Sequence, residues 1–115
     1  ETERNIPLAV LAATWIREHI NDVPTPKQVA ETFAVSEDHL SRLVKREYGV
    51  TLHEYTTRAR LNYAAELLSS SPGMKVYEAG EAAGYPDYKY FHAVFTRYFG
   101  VSPTDYRKNA ETKKL

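Results

Sequence analysis

The stretch Gly84-Tyr85-Pro86-Asp87-Tyr88-Lys89-Tyr90-Phe91-His92-Ala93-Val94-Phe95-Thr96-Arg97-Tyr98-Phe99-Gly100-Val101-Ser102-Pro103 decides how the chain is read. Asp87 has a short acceptor side chain suited to the first free backbone donors of a helix. Phe91, Val94, Phe95 and Phe99 follow at i, i+3, i+4 and i+8, one helical stripe. Gly100 suits the left-handed residue after a helix, and Ser102-Pro103 gives the next cap and first-turn proline. The other face carries Lys89, His92, Ala93 and Thr96, so a buried stripe would fix the helix and leave a polar face free.

Working outward, the same pattern recurs 51 residues earlier. Ser36 falls on Asp87, Leu40 on Phe91, Leu43 on Val94, Val44 on Phe95, Tyr48 on Phe99, Gly49 on Gly100, Thr51 on Ser102 and Tyr55 on Tyr106. Before the cap the offset is 50, with Val35 on Tyr85, so the second turn holds one extra residue. Thr25-Pro26-Lys27-Gln28 is a capping box with a first-turn proline, and Thr51-Leu52-His53-Glu54 is another. A short helix, a tight turn at Ala34-Val35 and a second helix with a polar face describe a helix-turn-helix.

The rest of the chain joins these units. Leu8, Leu11, Ala12, Trp15, Ile16 and His19 trace a first helical stripe from about Pro7 to Ile20. A long helix from Thr51 to about Ser69 would be on the order of 28 Å; Ser69-Ser70-Ser71-Pro72-Gly73 breaks it. Lys75 to Ala83 predicts a short helix and Pro103 to Asn109 a last one. The predicted fold is therefore all-α: two helix-turn-helix units joined by a long linker helix, about seven helices. Its expected organisation is a linker remnant at 1–6, a first unit at 7–50, the linker helix at 51–70, a second unit at 71–109 and a tail at 110–115. Gly80 inside the helix before the second turn disfavours helix by about 1 kcal/mol relative to Ala, which predicts loose support for the second unit.

Composition narrows the function. The 115 residues include no cysteine, which removes disulfides, thiolate metal sites and cysteine nucleophiles. No apolar run approaches the roughly 20 residues that span a bilayer, so no membrane partner is expected and a cytoplasmic location is the default. His19, His39 and His53 lack ligand spacing, no nucleophile–base pair or phosphate loop is present, and neither enzyme activity, metal nor cofactor is expected. Fifteen basic residues balance fifteen acidic ones, so the distribution of charge matters more than its total. From Arg42 to Arg60 five cations (Arg42, Lys45, Arg46, Arg58, Arg60) face two acids, Glu47 and Glu54.

The motif Gly84-Tyr85-Pro86-Asp87-Tyr88-Lys89-Tyr90-Phe91, with Phe95, Tyr98-Phe99-Gly100-Val101-Ser102-Pro103 and Tyr106-Arg107, resembles the second-unit signature of the AraC/XylS family of bacterial transcription regulators. The likeness covers roughly Pro7 to Asn109. It implies a DNA-binding domain whose two recognition helices, about 37–48 and 88–99, enter successive major grooves of double-stranded DNA. It also implies a sensing, dimerising or receiver domain elsewhere in the full-length protein, with this fragment monomeric. The chain departs from the family where Ala79-Gly80 replace the common Ile-Ala and where Ala93 stands at a position often polar or basic.

On this reading Asp38, Ser41 and Arg42 face bases from the first unit, and Lys89, His92, Ala93 and Thr96 from the second. Arginine pairs with a guanine edge through two parallel hydrogen bonds, and Ala93 and Thr96 offer methyl contact to thymine. Thr25, Lys45, Arg46, Thr51, Lys75, Tyr88 and Ser102 are the expected phosphate contacts, four of them at helix starts where free N–H groups gather. Tyr90 is expected to pack in the core, and Arg107 to pair with an acid or to face DNA. The competing view of the face around Arg42 is a solvated surface with an Asp38–Arg42 i,i+4 pair. The alternative function is a helical protein-interaction module that docks a partner domain or RNA polymerase.

Overall fold

The computed structural model describes residues 6–113, and every regular element among them is helical. In chain order these are α1 Leu8–Glu18, a 3-10 turn at Ile20–Asp22, α2 Pro26–Thr32, α3 Glu37–Tyr48, α4 Leu52–Ser70, α5 Val76–Ala82, α6 Tyr88–Phe99 and α7 Pro103–Lys113. The all-α expectation, with seven α-helices, stands. Most of the expected linker at 1–6, and the end of the expected tail, lie outside the described residues. The rest of that tail is helical, because α7 runs past Asn109 to Lys113; Ala110-Glu111-Thr112-Lys113 contains no glycine or proline to stop it.

The chain forms two compact units, with the border between Ala59 and Arg60, inside α4. In the first, Ala9, Ala12 and Ile16 of α1 close on Val29 and Ala30 of α2, Leu40 and Val44 of α3, and Leu52 of α4. The buried face of α1 differs from the predicted stripe. Leu11 is 42% exposed, while Ala9, Ala12 and Ala13 are buried. Small alanines let the neighbouring helices approach closely, and Leu11 falls on the far side of that contact.

The second unit is built on rings. Phe91 and Phe95 of α6, both fully buried, pack with Leu61, Ala64, Ala65 and Leu68 of α4, Ala79 of α5, Ala83 and Tyr85. Phe91 and Phe95 meet edge to face at 5.5 Å, and Phe95 meets Tyr106 of α7 at 5.6 Å and 87°, the geometry aromatic quadrupoles favour. The predicted weakness at Gly80 is reversed. A Cβ there would stand 2.7 Å from Cδ2 of Phe91, so the missing side chain is what lets the ring press onto the α5 backbone.

The repeat is realised in backbone geometry. Ser36 accepts from the His39 N–H at 3.1 Å and Asp87 from the Tyr90 N–H at 3.2 Å. Gly49 and Gly100 both end their helices at φ 80°, donating at 2.8 Å to the Lys45 and Thr96 carbonyls. The turns agree as well: Val35 N–H donates to the Ala30 carbonyl at 3.1 Å and Tyr85 N–H to the Gly80 carbonyl at 2.8 Å.

Candidate nucleic-acid interface

Each unit holds one helix that is anchored on one face and open on the other. In α3, Leu40 and Val44 are buried while Asp38, Arg42, Lys45 and Arg46 are exposed. Arg42 and Asp38 form the i,i+4 ion pair, with side chains 64% and 80% exposed. An exposed pair of this kind is worth about 1 kcal/mol or less, so a base edge or phosphate can displace the carboxylate. Lys45 and Arg46 lie in the last turn, further along the same helix.

Ser41 does not join that open face. It is half-buried, and its Oγ accepts the backbone N–H of Leu52 at 3.2 Å. Ser41, expected to read a base, thus has one acceptor site engaged by the start of α4, eleven residues on.

In α6, Phe91 and Phe95 are buried and Tyr88, Lys89, His92 and Ala93 are exposed. His92 meets the Tyr88 ring edge-on at 6.0 Å. Thr96 is half-buried, and its hydroxyl donates to the His92 carbonyl at 2.7 Å; this leaves methyl contact as its main means of reading. Tyr90 is 59% exposed and touches Tyr85 only at 6.0 Å between centroids. Its expected core role is corrected, since Tyr85 and Phe91 already fill the space above α5.

The four helix starts differ in how many donors they keep open. At α2, Thr25 and Gln28 close a capping box, with Thr25 N–H donating to Gln28 Oε1 at 3.0 Å and Gln28 N–H to Thr25 Oγ1 at 3.2 Å. At α4 the box carries a charge: Thr51 N–H donates to Glu54 Oε1 at 2.8 Å, and Glu54 N–H returns to Thr51 Oγ1 at 3.1 Å. These bonds hold the Glu54 carboxyl below the usual carboxylate range. With Leu52 N–H given to Ser41, His53 alone keeps a free donor in that turn among the described residues. At α5, Lys75 N–H donates to Glu78 Oε1 at 2.7 Å. At α7, Ser102 Oγ accepts from Asp105 N–H at 3.1 Å; Pro103 has no N–H, and among the described residues those of Ser102 and Thr104 stay open. Glu54 and Glu78 thus take up donors a phosphate would seek, whereas at α7 the first-turn acid, Asp105, leaves the Ser102 and Thr104 donors unused among the described residues.

Two arginines have different roles from those their charge suggested. Arg60 donates from Nε to the Ala83 carbonyl at 2.9 Å and from a terminal nitrogen to the Gly84 carbonyl at 2.7 Å, with its guanidinium carbon 4.4 Å above the Tyr85 ring. Burial pushes the Tyr85 phenol above its usual value. Arg107, whose partner the sequence left open between an acid and DNA, takes neither: it donates to the carbonyls of Leu68 at 3.1 Å and Ser71 at 3.4 Å. Both side chains satisfy carbonyls at helix ends, which otherwise lack intrahelical partners. Nothing in sequence spacing identifies a carbonyl twenty or more residues away as an arginine's target. Among the described residues no group of His, Asp or Glu could hold a metal, and no helix is long and apolar enough to cross a membrane.

Residues 29–109 match the family described as a helix-turn-helix domain, over two anchored helices with open faces. The chain belongs to the AraC/XylS helix-turn-helix family. Its relatives within the family include an HTH-type transcriptional regulator of Bacillus subtilis, YisR, 34% identical over 102 residues, which make up 89% of this chain and 35% of the relative. The xylose operon regulatory protein of Escherichia coli is 30% identical over 101 residues, 88% of this chain and 26% of that protein. The solved C-terminal domain of AraT, a response regulator from Geobacillus stearothermophilus, is 36% identical with a TM-score of 0.80, covering 92% of this chain and 88% of that one. This chain thus spans between a quarter and about a third of the curated relatives' length. AraC/XylS-type domains are DNA-binding modules of transcription regulators and not enzymes, and DNA binding for transcription regulation is the function membership gives this domain.

Proposed function

We propose that this AraC/XylS domain reads duplex DNA through two faces, one on α3 and one on α6, lying in successive major grooves. The observation that supports it is the repeated device of a capped helix with a buried stripe and a polar outer face, Asp38, Arg42 and Lys45 in one copy and Lys89, His92 and Ala93 in the other. Arg42 reads a guanine edge, and Asp38 accepts from a cytosine amino group or holds the Arg42 fork in place. Lys89 and His92 supply hydrogen bonds from α6, while Ala93 and Thr96 supply methyl contacts to thymine. Phosphates are held by Lys45, Arg46 and Tyr88, and by the starts of α2 at Thr25 and α7 at Ser102. The starts of α4 at Thr51 and α5 at Lys75 contribute less, because Glu54 and Glu78 stand in them. The domain works in the cytoplasm, where bacterial duplex DNA is found, and the full-length protein adds a sensing, dimerising or receiver domain.

Selection of binding sites from random duplex DNA, followed by salt titration on the selected site, tests this. Arg42→Ala should relax preference at one base pair, by about tenfold for a lost bidentate contact. Lys45→Ala should weaken all sequences alike and lower the salt slope by about one. Absence of salt-dependent duplex binding at low ionic strength would favour the protein-docking alternative, with RNA polymerase or a partner domain on the tyrosine-rich face of α6.

A further inference from the structure

We infer that Ser41 is a positioning residue for Arg42, tying the first reading helix to the start of α4, and that Pro103 frees its counterpart His92 to read DNA. The inference rests on the DNA-reading faces proposed above and assigns different work to the same register position in the two units.

The physical basis begins with the donors at the start of α4. Thr51 N–H and Glu54 N–H are used within the capping box, so the Leu52 N–H would be left without a partner on a residue that is itself buried. Ser41 Oγ fills that role at 3.2 Å. The bond crosses from the middle of α3 to the first residue of α4, and it attaches at the residue immediately before Arg42. Arg42 reaches out on a long, rotatable side chain, held near its tip by an exposed carboxylate. A small rotation of α3 about its axis is magnified at the guanidinium, and a two-bond fork tolerates little displacement. The Ser41–Leu52 bond opposes that rotation.

Moving 51 residues along, Ser41 becomes His92 and Leu52 becomes Pro103. Pro103 is fully buried and has no N–H to offer. A hydroxyl at position 92 would find no donor at that place. Position 92 instead holds an exposed imidazole against the Tyr88 ring edge. The second helix is held in rotation by its buried Phe91 and Phe95 rings, which are larger than Leu40 and Val44, and it can spend position 92 on the outer face.

The test uses the 115-residue chain with Ser41→Ala, Ser41→Thr, Arg42→Ala and His92→Ala, reading the base-preference profile from site selection and the exchange rate of the Leu52 amide in free protein. Ser41→Ala should speed Leu52 exchange and flatten preference, about three- to tenfold, at the same base pair that Arg42→Ala flattens. Across the two Ser41 variants the profile should follow the amide: a variant that protects Leu52 keeps the preference, and one that exposes it loses it. His92→Ala should flatten a different base pair. The inference is overturned if Ser41→Ala relaxes a base pair that Arg42→Ala leaves intact, since Ser41 would then read directly. It is equally overturned if amide and profile dissociate, or if His92→Ala leaves every preference unchanged. An unaltered profile in Arg42→Ala marks the separate failure of the DNA reading on α3, and the positioning role falls with it.

Discussion

The two units place different chemistry on one scaffold. The first is aliphatic at its centre, with Leu40 and Val44 at the positions where the second has Phe91 and Phe95. The change from Leu40 to Phe91 is matched across the contact. Ala30, whose carbonyl takes the turn's N–H in the first unit, becomes Gly80 in the second. Leucine leaves room for one methyl group; a phenyl ring pressed onto the helix does not. The units also divide the charge: seven Lys/Arg and nine Asp/Glu lie up to Ala59, eight and six from Arg60 onward. A modestly cationic second unit suits attraction to phosphate, while the first, slightly acidic overall, concentrates its cations on α3.

The comparison can be broken at several points. The largest effect is expected from Arg60→Ala: aligning the buried stripes Ala9, Ala12, Ala13 and Ile16 with Leu61, Ala64, Ala65 and Leu68 puts Leu8 of the first unit at the matching position, and a leucine cannot donate to a turn carbonyl. Losing a charged donor to two part-buried carbonyls should cost about 2–3 kcal/mol in denaturant unfolding. Arg60→Lys should recover little, since an ammonium cannot span both acceptors with a planar fork. Next comes Gly80→Ala, expected to destabilise by about 1–2 kcal/mol once the helix-propensity gain of about 1 kcal/mol is set against overpacking. Combining it with Phe91→Leu recasts the second unit in the first unit's pattern, so the double variant should lose less than the sum of the single ones. Additive losses would show that the pairing of sizes has no energetic content.

A smaller effect is expected at the turns. Ala34 sits at φ 58° where the second unit has Gly84 at φ 92°. Ala34→Gly should therefore raise stability by about 0.5–1 kcal/mol, and Gly84→Ala should lower it, because a Cβ is disfavoured in the left-handed region. The smallest effect is at Glu54. Its carboxyl is held below 4.5 by the Thr51 backbone and side-chain bonds, so the folded state binds its proton less readily than the unfolded chain. The stability this contributes is present above that value and is lost as pH falls through the lowered folded value. Acid titration of unfolding in Glu54→Gln should lack this component, while phosphate-dependent stabilisation should increase as the start of α4 loses its anion.

Much of this was legible in the sequence because it depends on neighbours. Thr25, Ser36, Thr51, Asp87 and Ser102 cap the helices they precede, and the stripes through Leu40/Val44 and Phe91/Phe95 are buried. Caps and stripes act within one turn of helix, so spacing alone exposes them. Leu11 departs from its stripe because periodicity does not say which part of it a partner covers, and Gly80 departs from its propensity because propensity takes no account of the ring packed against it. The site was legible as two polar faces, though not in its details. Whether Ser41 faced outward depended on a donor eleven residues away, and the openness of each helix start depended on the acid, amide or proline inside it.

By itself the sequence determined seven helices, a duplicated helix-turn-helix and a polar outer face on α3 and on α6, because helix period, capping chemistry and stop residues are local properties. Tertiary structure alone decided that Arg60 and Arg107 serve carbonyls, that Gly80 makes room for a ring, and that Ser41 is bound to α4. Those outcomes follow from which unpaired backbone group or empty volume lies opposite a side chain once helices distant in sequence are packed together.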